Sequence, residues 1–576
     1  MLDYIYPEEE QRFFTDRERH LALLALSKDL LTQGTRKHLA FSGYRRVGKT
    51  VMLKEFLRRH LAEEEANRVA VAYLDLPRLA FTPEAFAVQY IGSLLYWLGE
   101  RNDKRIEPYF DPVVQLTVIG HYGSQALSDH LRTFHQELQK EKPDQHLLLE
   151  MAFNWPEVWA RALDCHVMLI LDEFPEILAL NNYPQIRDII ALFRAVLQAQ
   201  SRVCYVVAGS MISLMERIFL TVDSPLFVHF QLEAVGPFGR EDSYKLARKR
   251  LTALQSSIPP EVLATIHQVT RGHPFYIYSL TMRVLEMVFL LHKPLDPQTV
   301  QEAFVLETLE TTGRIYNLCR YVLEDSLQRA RGETIPQAAL QILARETEGL
   351  TLAQLAHRLR RPSGAIRQVL NWLIEVDLVE QREDKTYVFQ DPVLQLWVAF
   401  YYAGLELTAM PRQTVLDQLV AELMEKYQRV TSELGLAKES QVRELLQRFA
   451  GQEVDGALLG LSESVRLPTF RRVAAYRSAD GQIEVDALAE AGAEPGRSGG
   501  ERWAVEIKWR SKLSGIKEVQ RLVRAAQMLS ARPWFISRAG FTPEAEAYAR
   551  REGVMCSRED EIRALARIVE KQWQPQ

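Results

Sequence analysis

The chain has 576 residues, too many for one hydrophobic core, and its composition of 47% hydrophobic and 25% charged residues is ordinary for a globular protein of several domains. A formal net charge of −5 excludes a protein that binds nucleic acid through its overall charge, so such binding requires a local basic patch. The four cysteines form no CxxC pair, which excludes a disulfide scaffold and a sequence-local zinc ribbon.

The amino-terminal segment, MLDYIYPEEEQRFF, is acidic and has no apolar core region, so it lacks the pattern of a signal peptide. We also expect no apolar run long enough to span a bilayer. These features, with the isolated cysteines, predict a cytoplasmic protein without membrane contact.

Short apolar runs alternate with helical patterns in the first third of the chain, where the runs read HLAFSGY, VAVAYLDL, HVMLILDEF and CYVVAGS. This alternation predicts a parallel sheet covered by helices on both faces. A mostly helical region follows, then a helix, helix, turn, helix and hairpin pattern, a helical connector and a final mixed segment. We therefore predict an α/β multidomain protein. The expected domains are 1–235, 236–333, 334–400, 401–435 and 436–576.

The segment GYRRVGKT matches the phosphate-binding pattern GxxxxGK[ST], follows the apolar run HLAFS and opens a helical pattern. Its glycines allow backbone N–H groups to approach phosphate, and the helix N-terminus adds partial positive charge. Lys49 is expected to reach the β- and γ-phosphates, and Thr50 to hold Mg²⁺. The predicted ATP-binding residues of this loop are Gly43, Arg46, Gly48, Lys49 and Thr50.

The run HVMLILDEF ends in two acids, as expected for the strand that completes a nucleotide site with a phosphate-binding loop. Asp172 is the predicted Mg²⁺ partner, and Glu173 the predicted base that orients the attacking water. The next apolar run ends in Ser210, which is either a polar sensor beside the γ-phosphate or an ordinary turn serine.

These motifs, with FFTDRERHLALLAL before them and AGSMISLMER and TRGHPFYIYSL after them, resemble the archaeal-type AAA/STAND P-loop ATPases over about residues 10–400. The resemblance implies a P-loop ATPase core with a helical lid. It places Arg17 near the adenine and His273 and Pro274 over the nucleotide. It also implies an ATP- and Mg²⁺-dependent ATPase that forms a homo-oligomer.

The sequence departs from the family after SPL, where it reads SPLFVHF and has no Gly-Arg-Arg, so this loop supplies no obvious arginine finger. Arg217, in LMER, is the substitute candidate. The alternative is that Arg217 is a solvated arginine on a helix.

Residues 334–400 fit a winged helix-turn-helix. The second helix begins near Ser363, and arginines cluster at the turn before it. Arg361 and Arg367 are the predicted DNA contacts, because arginine bonds both phosphates and base edges. The alternative is that this domain packs against its own ATPase or binds protein, and the acidic wing EQREDK argues against deep insertion into a groove.

Two strand-like segments near the carboxy-terminus, GQIEVDAL and AVEIKW, carry acids on one face and apolar residues on the other. Asp486 on the first segment and Glu506 on the second are predicted to converge on one Mg²⁺ ion. Lys508 is predicted to orient the attacking water and to offset charge in the transition state. This D…ExK pattern is the catalytic core of the PD-(D/E)XK nucleases.

The segments around this pattern, including GIKEVQRLVRAAQML and GFTPEAEAYA, resemble the Mrr-type restriction endonuclease core over about residues 436–565. The resemblance implies that Gln520 supports the site and contacts DNA. It also implies an acid on a preceding helix that completes the metal shell. Glu439 and Glu444 both qualify, and we prefer Glu439.

The combined prediction is an ATP-binding and ATP-hydrolysing DNA-processing protein with a Mg²⁺-dependent nuclease domain. One alternative is a nucleotide-switched signalling or scaffold ATPase. Another is a DNA-binding ATPase with a catalytically silent nuclease fold.

Overall fold

The computed structural model describes residues 6–572 with several gaps. The gaps are 62–68, 100–104, 255–256, 329–333, 347–348, 383–384, 434–441, 462, 479–482, 492–500 and 510–512. The chain forms two compact units, the first of Met1–Leu343 with Thr351–Ala421 and the second of Ala344–Leu350 with Glu422–Gln576. The finer domain boundaries given above stay a prediction.

The first unit contains a parallel sheet of five strands in the order β2-β3-β4-β1-β5. The strands are His38–Ser42 (β1), Val69–Asp75 (β2), His166–Asp172 (β3), Val203–Gly209 (β4) and Phe230–Ala234 (β5). Strands β1 and β4 are buried at every residue, which explains their continuous apolar sequences. The predicted parallel sheet is confirmed. Strand β5 was not predicted, because it lies at the edge and only Phe230 in it is buried.

Helices pack against this sheet, and Lys49–Leu61 and Ile212–Leu220 follow the carboxyl ends of β1 and β4. The helices outside the β2–β3 connection are Glu8–Gln11, Glu18–Thr32, Lys49–Leu61, Ile189–Ala199 and Ile212–Leu220, with the 3₁₀ segment Phe174–Asn182. Strand β1 lies between β4 and β5, so the chain continues from β1 to strands on both of its sides. Ligand sites in open α/β sheets form outside the carboxyl ends of strands at such a point.

A helical insertion joins β2 to β3 and was not predicted as a separate feature. Its helices are Pro83–Leu98, Pro112–Gly120, Gln125–Leu138 and Gln145–Ala162, with the 3₁₀ turns Leu76–Arg78 and Glu107–Phe110. Asp111, Ser124 and Asp144 cap three of these helices by accepting hydrogen bonds from backbone N–H groups of the first turn. The helix Pro83–Leu98 packs against Gln145–Ala162, and both are largely buried.

The region after β5 is helical, as predicted. Its helices are Arg240–Leu251, Pro260–Thr270, Pro274–Leu291, Pro297–Leu309 and Arg314–Gln328, with the 3₁₀ turn Thr252–Leu254. The expectation of no membrane-length apolar run is wrong for Pro274–Leu291, which is long and apolar enough to cross a membrane, with a mean hydropathy of 1.3. Ile277, Leu280 and Val284 of this helix are fully buried in the protein, and a core helix passes the same test.

Residues 334–421 contain the predicted series of helix, helix, turn, helix and hairpin. The elements are Thr334–Ala344, Leu350–Thr351 (β6), Leu352–Leu359, Ser363–Glu375, Val379–Gln381 (β7), Thr386–Phe389 (β8) and Pro392–Tyr401, followed by Gln413–Glu433. A capping box joins Thr351 and Gln354 at the start of the second helix. Strands β7 and β8 pair antiparallel, and Ile366, Leu370 and Leu373 bury one face of the third helix.

The second unit contains a five-stranded mixed sheet in the order β11-β12-β13-β14-β15. Its strands are Phe470–Arg477 (β11), Glu484–Ala491 (β12), Arg502–Lys508 (β13), Arg532–Ser537 (β14) and Met555–Ser557 (β15), and the short strands Glu453–Val454 (β9) and Val465–Arg466 (β10) pair separately. The helices are 442–447, Ile516–Met528, Pro543–Arg551 and Glu559–Gln572, with the 3₁₀ turn Gly456–Leu459. Strand β13 pairs antiparallel with β12 and parallel with β14, and apolar clusters cover both of its faces.

Candidate functional site

The phosphate-binding loop lies between β1 and the helix Lys49–Leu61, as predicted. A Cβ atom on Gly43 would lie 2.2 Å from the Val235 carbonyl oxygen, so only glycine fits there. Gly48 and Arg46 have φ values of 100° and 60°, and these left-handed residues shape the loop around an anion. Lys49 Nζ donates to the carbonyl oxygens at the base of the loop, at 2.8 Å to Gly43 and 3.1 Å to Tyr44. Burial lowers the pKa of Lys49.

Thr50 and Asp172, the two residues predicted to hold Mg²⁺, lie in contact. Thr50 Oγ1 donates to Asp172 Oδ2 at 2.6 Å. The same oxygen accepts from the Tyr73 hydroxyl at 2.9 Å, and Asp172 is 1% exposed. Tyr73 was not predicted. It lies on β2, beside β3 in the sheet, and burial raises its pKa well above the usual value, so it stays a hydrogen-bond donor to this carboxylate.

Glu173 and Ser210 are also brought together, at the ends of β3 and β4. Glu173 Oε2 accepts from the Ser210 backbone N–H at 2.9 Å and from Ser210 Oγ at 2.8 Å. Glu173 has a φ of 52°, a left-handed conformation that is uncommon outside glycine. Such outliers persist where the surroundings over-determine them, and they cluster at functional sites.

Arg17 lies at the base of the same loop. Its guanidinium donates to the carbonyl oxygens of Val47 at 2.9 Å and Gly236 at 2.8 Å, and it lies 4.6 Å from the centre of the Phe238 ring. Its exposed fraction is only 5%. Arg17 therefore ties the loop to the segment after β5, and a direct role in base recognition stays a prediction.

His273 and Pro274 begin the helix Pro274–Leu291 beside the loop. His273 Nε2 donates to the Arg45 carbonyl oxygen at 3.2 Å, because a carbonyl can only accept. Burial lowers the pKa of His273 to about 4. Arg45 also forms an ion pair with Asp325 at 2.8 Å, so the loop is joined to two helices of the helical region.

A deep cleft opens beside the loop, and Arg46, Gly48, Lys49, Thr50 and Pro274 contribute to its wall. Its other walls are rich in aromatic side chains, which suit the face of a nucleobase. These aromatic residues are Phe13, Phe14, Phe81, Phe238, Phe275, Tyr278 and Tyr321.

The candidate arginine finger, Arg217, lies on the helix Ile212–Leu220 and is 57% exposed. It forms an ion pair with Glu375 at 3.3 Å, at the end of the helix Ser363–Glu375. The predicted DNA contacts Arg361 and Arg367 lie at the opposite end of that helix and are exposed. The arginine-rich end of the helix is therefore accessible.

The residues of the D…ExK pattern meet at the junction of β12 and β13. Lys508 Nζ lies 2.7 Å from Glu506 Oε1 and 3.8 Å from Asp486 Oδ2. Asp486 Oδ2 accepts from the Ile507 backbone N–H at 2.6 Å, and the three charged side chains are 12–18% exposed. Across the part of the chain that the structure describes, no group of three or more His, Cys, Asp or Glu side chains could hold a metal ion. Two carboxylates nevertheless fit Mg²⁺, which is usually bound through one or two carboxylates, keeps several waters and binds substrate phosphates.

Residues around this site include one that was not predicted. Arg443, on the helix 442–447, donates to the Asp486 carbonyl oxygen at 2.7 Å and so holds β12 at the site. Glu444 is half-buried on the same helix, whereas the preferred Glu439 lies outside the described residues. Gln520 is half-buried on the helix Ile516–Met528. The exposed face of that helix carries Lys517, Arg521 and Arg524.

Comparison with known families identifies the second unit. Residues 463–566 match the restriction endonuclease family model Mrr_cat. This unit contains a restriction endonuclease domain. The match includes β11 to β15, together with Asp486, Glu506 and Lys508, so the resemblance predicted from these residues is confirmed.

The solved structures that are similar to part of this chain are distant. The Walker-type ATPase PABY2304 of Pyrococcus abyssi is 15% identical, with 68% of this chain and 96% of that chain covered and a TM-score of 0.43. The ORC2 protein of Aeropyrum pernix is 14% identical over 73% and 97%, with a TM-score of 0.42. The RuvB Holliday junction branch migration motor of Thermotoga maritima is 13% identical over 69% and 97%, with a TM-score of 0.32. No curated protein matches the chain. The five-stranded parallel sheet and the loop GYRRVGKT between its strand β1 and the next helix give the first unit a P-loop ATPase fold.

Proposed function

We propose that this protein binds and hydrolyses ATP in its first unit and cleaves DNA with Mg²⁺ in its second. The observation that carries the nuclease proposal is the convergence of Asp486, Glu506 and Lys508 within a region that matches a restriction endonuclease family. ATP hydrolysis is supported by the contact between Thr50 and Asp172 beside a phosphate-binding loop.

At the nuclease site, Asp486 and Glu506 would supply the oxygen ligands, and Lys508 Nζ lies within 4 Å of a carboxylate oxygen of each. Bound Mg²⁺ would polarise the scissile phosphate and lower the pKa of a water molecule. The Lys508 ammonium is compact and carries three donors, so it can orient the attacking water and offset charge on the phosphate. The Ile507 N–H holds Asp486 in place, and Arg443 fixes its strand.

At the ATPase site, Lys49 would leave the loop carbonyls and contact the β- and γ-phosphates. Thr50 and Asp172 would hold Mg²⁺, and Glu173 would orient the attacking water. Arg17 would keep the loop in shape, with His273 and Pro274 beside it. Gly43 would let the backbone approach the phosphates.

DNA contact is proposed at two basic surfaces, one in each unit. In the first unit it is the exposed end of the helix Ser363–Glu375, with Arg361 and Arg367. In the second unit it is the helix Ile516–Met528, where Gln520 lies beside a basic face. Arginine and lysine on an exposed helix face neutralise phosphates, so DNA binding should weaken steeply with salt. We also propose that the protein is a homo-oligomer in the cytoplasm.

A nucleotide-switched scaffold is the second candidate, and one observation favours it. The helix Ser363–Glu375 contacts the ATPase core through the Arg217–Glu375 ion pair. A winged helix that only packs against its own ATPase would make such a contact. ATP turnover that does not respond to DNA, without cleavage, would support this candidate.

Cleavage of linear, circular and branched DNA with Mg²⁺, with and without ATP, tests the proposal. The wild type is compared with Asp486→Ala, Lys49→Ala and the control Glu490→Ala, which changes another acid on β12. We expect cuts that are lost in Asp486→Ala and kept in Glu490→Ala, and ATP turnover that is lost in Lys49→Ala. DNA binding and ATP turnover without any cleavage would refute the nuclease activity.

A further inference from the structure

The helix Ile212–Leu220 begins two residues after Ser210, and its first backbone N–H groups need acceptors from outside the helix. Met211, at its N-cap position, has no side-chain acceptor. The acceptor comes instead from Asp377, far along the chain. Asp377 Oδ1 accepts from the Ser213 backbone N–H at 2.9 Å and from Ser213 Oγ at 2.6 Å.

Asp377 follows the helix Ser363–Glu375, whose other end carries the basic cluster. Its φ of 57° is left-handed, and this conformation turns the chain so that the carboxylate faces Ser213. Ser213 Oγ also lies 3.0 Å from the Ile374 carbonyl oxygen, so the single hydroxyl proton of Ser213 has an acceptor at the helix end as well as at the carboxylate. The cap therefore belongs to the element that we propose to contact DNA.

The capped end of the helix Ile212–Leu220 also holds a residue of the ATPase site. Ser210 lies two residues before this helix and donates twice to Glu173 Oε2. A carboxylate oxygen that already accepts two hydrogen bonds is less available to orient a water molecule. Hydrogen bonds and the short backbone segment 210–213 thus connect Asp377 to Glu173.

We propose that Asp377 is a positioning residue of the ATPase site, which holds Ser210 against Glu173 and thereby restrains hydrolysis until the helix Ser363–Glu375 moves. Binding of DNA at the basic end of that helix would withdraw the cap and release Glu173. This inference rests on the proposed ATP hydrolysis, and it goes further by naming the contact through which DNA accelerates turnover.

Steady-state ATP turnover with and without DNA tests this role in Asp377→Ala, Asp377→Asn and Glu375→Gln. Asp377→Ala should raise basal kcat about fivefold, the effect of losing one helix cap, with KM for ATP unchanged and no further stimulation by DNA. Asp377→Asn should behave as the wild type, because asparagine caps helices as well as aspartate does. Glu375→Gln removes only the neighbouring ion pair and should also leave turnover unchanged.

Hydrogen exchange gives a readout that does not depend on activity. The amides of residues 211–215 should lose protection in Asp377→Ala and keep it in the other two variants. If the wild type hydrolyses no ATP, the proposed function itself fails. If it does hydrolyse ATP, unchanged turnover or lowered kcat in Asp377→Ala overturns the positioning role alone, and so does an Asp377→Asn variant that resembles Asp377→Ala.

Discussion

The buried His273 should make the stability of the first unit depend on pH. Burial lowers its pKa from 6.5 to about 4, and its ring packs against Tyr276 with the centroids 4.3 Å apart. The unfolded chain therefore binds a proton below about pH 6.5, whereas the folded protein binds it only below about pH 4. Between about pH 4 and pH 6.5 the unfolded state holds more protons than the folded state. The contribution of His273 to stability therefore rises with pH over this range and is fully present above about pH 6.5.

The size of this effect follows from the two pKa values. Between pH 8 and pH 5, the proton taken up by the unfolded state lowers the free energy of unfolding by about 2 kcal/mol for this one residue. His267 has its pKa lowered to about 4 for the same reason and adds an effect of the same sign. The contribution of His273 must therefore be isolated by substitution.

Urea unfolding at pH 5 and pH 8 measures the contribution in the wild type and in His273→Gln. Hydrogen exchange of peptides from Pro274–Leu291 restricts the readout to the first unit. On going from pH 8 to pH 5, the free energy of unfolding should fall by about 2 kcal/mol less in His273→Gln than in the wild type. His121→Gln, which changes an exposed histidine of the same unit, should keep the wild-type dependence. If the free energy of unfolding depended equally on pH in the wild type and in His273→Gln, the prediction would be wrong.

Three further predictions concern single contacts. Thr50→Val removes the donor to Asp172 and should reduce ATP turnover at least about tenfold with a higher Mg²⁺ requirement, as measured in a Mg²⁺ titration. Arg443→Met removes the donor to the Asp486 carbonyl and should slow DNA cleavage about tenfold, partly restored by excess Mg²⁺. Glu157→Ala removes the carboxylate that accepts from the partly buried backbone N–H groups of Ser201 and Arg202, so urea unfolding should show a loss of about 2 kcal/mol. Wild-type behaviour in any of these variants would contradict the corresponding contact.

Fold class was predictable, and the motif residues of the two candidate sites could be proposed from the sequence, because their signals are local. A phosphate-binding loop needs its glycines, lysine and threonine at fixed spacing between a strand and a helix. GYRRVGKT can therefore be recognised as such a loop from the sequence alone. Asp172, Asp486 and Glu506 lie on apolar strands, where alternation of side chains fixes which residues share a face. A buried strand also has a continuous apolar sequence, as β4 shows.

The partners of those residues were decided only by the tertiary structure. Tyr73 contacts Asp172 because β2 lies beside β3, and Arg443 reaches Asp486 from a helix 43 residues earlier in the chain. The contact of Arg17 with the Val47 carbonyl oxygen also depends on folding, because buried carbonyl groups need donors and the folded chain brings these two residues together.

The sequence by itself therefore determined the classes of the elements and predicted the chemistry of both candidate sites, because spacing and periodicity are properties of neighbouring residues. The tertiary structure decided which distant groups satisfy the polar atoms of those sites. The cap that Asp377 supplies to the helix Ile212–Leu220 shows the reason. An orphan N–H group requires an acceptor but does not specify which one, and only the packing of the folded chain selects it.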